Sequence, residues 1–242
     1  MAVLRRALLW TFVGLLLSGS VAAQQEVGHL VEIVPAVWGT PQGGAKGDLA
    51  VNDPILLNMR VETGNGARAA MTFYPEGALE LGQNVRLVID RSRVDSATGR
   101  QESGLKVLLG RLLAFFSPSV DRDVEIETPS ARMGIRGTVV GVDVAASGST
   151  VVAVLEGVVE VSALAGGSPL RLTAGFYTVV DPGGQPTPPA PIEPGSWTLS
   201  AAADAEPFQL PQERFPTDSP LPREGQFRDP QAPFDPSGNP IP

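Results

Sequence analysis

The side chains that could do chemistry in this chain are few, and nearly all of them are carboxylates. The one histidine, His29, has no serine and acid placed to form a nucleophilic triad with it, so it reads as an exposed residue at a strand edge rather than a base or a metal ligand. There is no cysteine, which removes thiol chemistry and leaves stability to packing and backbone hydrogen bonds. A metal would have to be held by oxygen alone, yet Asp48, Asp53, Asp90, Asp95, Asp121 and Asp123 lack the spacing of a calcium loop. Asp121-Arg122-Asp123 is more simply a solvated turn. Two acids brought together by folding would suffice for a carboxylate-dependent hydrolase, but no pair is marked out. The glycine-rich run from Gly39 to Asp48 contains Lys46 but neither phosphate-loop spacing nor a following helix, and it reads as a flexible hairpin connection. The expectation is a protein without enzymatic activity, cofactor or metal.

One constellation stands out. Thr128-Pro129 is followed by Ile135-Arg136-Gly137-Thr138, then Leu155-Glu156-Gly157-Val158, then Leu172-Thr173-Ala174-Gly175. Its glycines, Gly137 and Gly157 above all, permit backbone conformations or close approaches that a side chain blocks, and Pro129 fixes φ at an edge or turn. Arg136 is the odd member. Its planar donors suit a carboxylate such as Asp143 or Glu156, or several carbonyls, in a clamp between strands whose loss would cost a few kcal/mol; the alternative is a ligand-binding arginine.

This order of motifs resembles the signature of the FecR domain family. Val61-Glu62-Thr63-Gly64, Ala67-Arg68-Ala69 and Gly77-Ala78-Leu79-Glu80-Leu81-Gly82 also look like that family's earlier strands, so the resemblance extends over about 27–180. It implies an extracytoplasmic, twisted β-solenoid-like or β-roll-like module that works by binding. In their signalling setting such proteins join a cytoplasmic sigma-regulating segment, a membrane helix and an outer domain that contacts a receptor. This chain is expected to open on an export signal, so any sigma-factor regulation would have to pass through a second protein, and that part of the family's activity is not carried over.

The elements that would position these residues are strands. Between Val27 and Val180 apolar residues fall on alternate positions, the period of half-buried strands: Val31, Ile33 and Val37; Ala67, Ala69, Met71 and Phe73; Leu79, Leu81, Val85, Leu87 and Ile89. Val151, Ala153, Leu155, Gly157, Val159 and Val161 are expected on one face, opposite Glu156 and Glu160. Turn residues at Thr63–Gly66, Pro75–Gly77, Gly82–Asn84, Ala146–Ser149 and Gly166–Pro169 separate the runs, giving an all-β fold. Leu105–Phe116 fits either a buried helix or two strands about Gly110; a glycine there weakens a helix centre, which favours strands. Val61-Glu62-Thr63 with Arg68 is similar to Ile126-Glu127-Thr128 with Arg132, which hints at related halves, but two matches are too few to make a repeat.

The ends differ from the middle. Residues 1–23 carry Arg5-Arg6, an apolar run and a small-residue end at Ser20-Val21-Ala22-Ala23, the pattern of a cleaved export signal, although retention as an anchor stays open. The reading is therefore a leader over 1–23, a β domain over 24–180 and a disordered proline-rich tail over 181–242, with 16 of the 23 prolines in the tail. Phe208, Phe215, Phe227 and Phe234 in that tail are possible anchors for a groove. The chain bears 26 acidic and 18 basic residues, a balance that repels nucleic acid. The functional expectation is an exported module, periplasmic or extracellular, binding an envelope protein or surface polymer, with no membrane span in the mature chain. A self-associating envelope scaffold is the alternative.

Overall fold

The computed structural model describes residues 24–74, 77–94, 97, 100–118, 122–193 and 195–197. Residues 1–23, expected to be an export leader, and the tail phenylalanines Phe208, Phe215, Phe227 and Phe234 lie outside these residues. The described chain contains strands and no helix, as the alternation predicts. No helix among the described residues is long and apolar enough to cross a membrane.

In chain order the strands are β1 (Glu26–Val34), β2 (Val37–Thr40), β3 (Gly47–Asp48), β4 (Pro54–Leu56), β5 (Arg60–Thr63), β6 (Arg68–Phe73), β7 (Gly77–Leu81), β8 (Arg86–Val94), β9 (Gln101–Phe116), β10 (Arg122–Glu127), β11 (Ala131–Ile135), β12 (Val139–Val144), β13 (Thr150–Glu156), β14 (Val158–Ala163), β15 (Leu170–Thr173), β16 (Phe176–Val180) and β17 (Ala190–Pro191). They form one continuous hydrogen-bonded sheet, which β9 divides into two leaves. The first half of β9 pairs with β8 and β10, the second half with β7 and β12. The first leaf runs β3-β2-β5-β8-β9-β10-β11-β14-β15. The second runs β1-β6-β7-β9-β12-β13-β16-β17. Their inward faces share one core, in which Phe73, Leu87, Val142 and Val161 are buried together.

Consecutive hairpins alternate between leaves, so the chain must turn a corner at each transfer. Gly110 makes that corner inside β9 with φ +85°, which explains why Leu105–Phe116 fits two periodicities: it is a single strand bent between two leaves. Gly137, Gly157 and Gly175 make the later corners with φ +54°, +83° and +84°. In this left-handed region a side chain is strained and glycine is not.

The corners also change which residues face inward. Val152 and Val154 point into the core from β13, and Val159 and Val161 from β14, so the run from Val151 to Val161 does not share one face as alternation suggested. At the start, Val31 and Ile33 are only half-buried, and Val27 and Leu30 enter the core instead, because β1 bulges where it passes from β4 to β6.

A further expectation, that the proline-rich tail adds no strand to the sheet, is corrected. Residues 181–197 do not all lie off the sheet: Phe176 pairs with Pro191 and Tyr177 with Ala190, a two-residue edge strand where proline is tolerated. The two suggested halves differ in connection, since Thr63 ends a strand whose chain crosses to the other leaf, whereas Thr128 joins β10 to β11 within one leaf. Gly39–Asp48 forms the expected hairpin connection, with Trp38 opposite Asp48 and Gly39 opposite Gly47.

Candidate interaction surface

Strand geometry turns alternate residues of the first leaf away from the core, and the sequence places charges there. Glu62 receives Lys46 and Arg86, each at 2.9 Å, and Arg93 meets Glu102 at 2.6 Å. Lys106 reaches Asp90 at 3.2 Å; Arg132 bridges Glu127 at 3.0 Å and Glu125 at 3.5 Å. Arg136 and Arg100 share Asp123, at 2.9 and 3.0 Å.

These contacts bias the charges towards ionisation. The hydrogen bond from Lys46 is the main reason Glu62 titrates below its ordinary range, with Arg86 adding to it against partial burial. At Asp123 burial is the largest single influence and pushes upward, but Arg100 and Arg136 together outweigh it and hold the carboxyl below its usual range. Exposed pairs of this kind contribute only about 0–1 kcal/mol each, so the ladder orients charge more than it stabilises the fold.

In the middle of this face Gly134 lies between Glu125 and Glu160 in the strand register, and a Cβ built there would meet nothing within 4 Å. The result is a shallow gap between charged ridges, with Arg171 opposite Glu160 beyond it.

The signature residues fall into three settings. Gly137, Thr138, Glu156, Gly157 and Gly175 sit at the stacked corners, where a Cβ on Gly157 would come within 2.6 Å of Thr138 Cγ2 and 3.0 Å of the Gly137 carbonyl oxygen. The Ala174 N–H donates to the Gly157 carbonyl at 3.1 Å and the Gly175 N–H to that of Val154 at 2.8 Å, so these motifs, distant in sequence, are physical neighbours. Thr128 and Pro129 lie at the far end of β10, Pro129 exposed and Thr128 buried.

Thr128 belongs to a group that sequence reasoning missed. Its hydroxyl accepts the Ala131 N–H at 3.0 Å and the Thr150 hydroxyl at 2.9 Å, while Ser130 Oγ lies 2.8 Å from both Thr150 Oγ1 and the Val180 carbonyl oxygen. This buried hydroxyl chain ties the end of one leaf to the end of the other. Only Thr128 carried a sequence signal, through the Thr-Pro motif.

Arg136 is placed differently from expectation. It binds neither Asp143 nor Glu156 and is no buried clamp: its side chain is 72% exposed and its partner Asp123 45% exposed. The reason is strand order, because β10 is the neighbour of β11 on this face, whereas Asp143 lies on the other leaf and is held by Arg111 at 2.7 Å. His29 is half-buried rather than exposed. Its Nδ1 lies 2.9 Å from the Tyr74 hydroxyl and 3.0 Å from Thr72 Oγ1.

Residues 59–160, the stretch that builds β5 to most of β14, match the family model described as FecR protein. Two crystal structures of a candidate anti-sigma factor from Parabacteroides distasonis ATCC 8503 are similar to the chain, each at 15% identity and a TM-score of 0.43. Each match covers 53% of this chain and 57% of the other, little more than half of either. No curated protein matches the chain.

Proposed function

We propose that this is an exported, non-catalytic FecR-type regulator that acts in the cell envelope by binding another protein through the charged outer face of the first leaf, with Arg136 at its contact point. The observation that carries the reading is the position of Arg136. A cation belonging to the domain's signature projects into solvent from a salt bridge of little stabilising value, so its worth lies in contact with something outside the fold. A face with alternating charge and an open gap at Gly134 suits a partner of complementary charge pattern, for which such arrays set register and encounter rate.

The test uses the mature protein as bait for envelope proteins, with Arg136→Glu and Arg132→Glu beside the unaltered chain. Specific capture that weakens at least tenfold in both variants and with rising salt, while the melting temperature holds, supports the reading. Capture indifferent to both substitutions refutes it. Self-association that grows with concentration and survives both substitutions would replace it with the scaffold alternative.

A further inference from the structure

The outward side of the second leaf behaves unlike a solvated sheet face. A row of registered neighbours crosses it from Ala70 through Glu80, Leu113 and Gly141 to Ala153. The residues before and after most of them along their strands belong to the core, so the row points away from it. Outward positions are normally accessible, yet Ala70, Leu113 and Ala153 are 5%, 7% and 0% exposed.

Trp197 shows what covers one end. A Cβ built on Gly141 would collide with ring carbons Cε3 and Cζ3 of Trp197, and Cδ2 lies 2.9 Å away. Gly141 has no positive φ to explain its identity, so what glycine supplies here is room for the indole. The guanidinium of Arg111 lies 4.9 Å from the indole centroid and donates to the Ser196 carbonyl at 3.3 Å, while Asp143 fixes it at 2.7 and 2.9 Å. Between Pro191 on β17 and Trp197 the chain has therefore crossed β16 and β13 to reach β12, travelling along the row.

We propose that this row is a docking groove for the protein's own C-terminal segment, anchored by Trp197 and filled beyond it by residues 198–210. Continuing in the same direction, the distance from Gly141 to Ala70 is three strand spacings, about 14 Å, which an extended chain covers in roughly four or five residues. Residues 198–203 are Thr-Leu-Ser-Ala-Ala-Ala, side chains small enough for a shallow row, and the first acid, Asp204, follows them. Arg68, two residues before Ala70 on β6, supplies a cation where that acid arrives. The groove lies on the opposite leaf from the charged face, so this inference stands whether or not that face binds a partner.

The absence of cysteine in the chain allows a clean reporter. Ala70→Cys, at the end of the row remote from Trp197, is labelled with a maleimide in the mature chain alone, with Trp197→Ala and with Gly141→Val, circular dichroism confirming the fold of each. Slow labelling in the parent and at least tenfold faster labelling with Trp197→Ala is the expected result; Gly141→Val, a good strand former that fills the indole's seat, should act in the same direction. Fast labelling in the parent, or no acceleration with Trp197→Ala, overturns the proposal. Labelling that slows as protein concentration rises names a second copy as the occupant and overturns it too.

Discussion

Glu80 should make this protein less stable as pH rises, and replacing it with glutamine should remove that loss. Glu80 faces outward from β7 between Ala70 and Leu113 and is nearly buried. Burial pushes its carboxyl from 4.5 up to about 7; attraction to Arg68 opposes this and repulsion from Glu32 adds to it. Below about pH 4.5 the group is neutral in both folded and unfolded chains. Between 4.5 and 7 the unfolded chain releases a proton that the folded one keeps, so stability falls with rising pH, and above 7 the full penalty is present. A rise from 4.5 to about 7, at roughly 1.4 kcal/mol per pH unit, bounds the penalty near 3.5 kcal/mol, and solvent screening reduces it to about 1–2 kcal/mol. At roughly 2–4 °C per kcal/mol for a domain of this size, Glu80→Gln should melt about 2–8 °C higher than the parent at pH 8.5. Near pH 4 the two should melt together. Thermal melts by circular dichroism over that range give the answer; a difference independent of pH, or one that grows towards acid, refutes the reasoning.

Arg136→Ala should leave the melting temperature within about 3 °C, since an exposed pair contributes at most about 1 kcal/mol and Arg100 still holds Asp123. A larger loss in calorimetry would restore the clamp reading. Gly157→Ala should destabilise by about 1–3 kcal/mol or more, because it forces a side chain to φ +83° and against Thr138; denaturant titration measures this, and a neutral result would remove the corner argument. Thr150→Val keeps the shape of the residue but breaks the hydroxyl chain to Thr128 and Ser130, at a cost of about 1–3 kcal/mol in the same assay. An unchanged midpoint would mean that the chain contributes nothing.

Much of the architecture is legible in residue order alone. Alternation at Ala67–Phe73 and Leu79–Ile89 marks strands and their buried faces because side chains on a strand point to opposite sides in turn, a local consequence of backbone geometry. The Arg-Gly-Thr and Glu-Gly-x-Val motifs announce the FecR resemblance and lie within the family match over 59–160, whereas the Ala-Gly motif at Ala174-Gly175 lies beyond it. What alternation misses is equally specific. Val151 to Val161 reads as one continuous face, but Gly157 lies at a corner, and a corner resets which residues point inward without altering the sequence pattern.

The sequence by itself determined that the chain is β, where many of its turns fall and which glycines matter, since each follows from a residue and its immediate neighbours. Only the tertiary structure decided who stands beside whom: Asp123 rather than Asp143 or Glu156 at Arg136, Thr150 against Thr128, and Trp197 on Gly141. Those pairings depend on strand order across two leaves, and the partners are separated along the chain by distances that no local period encodes.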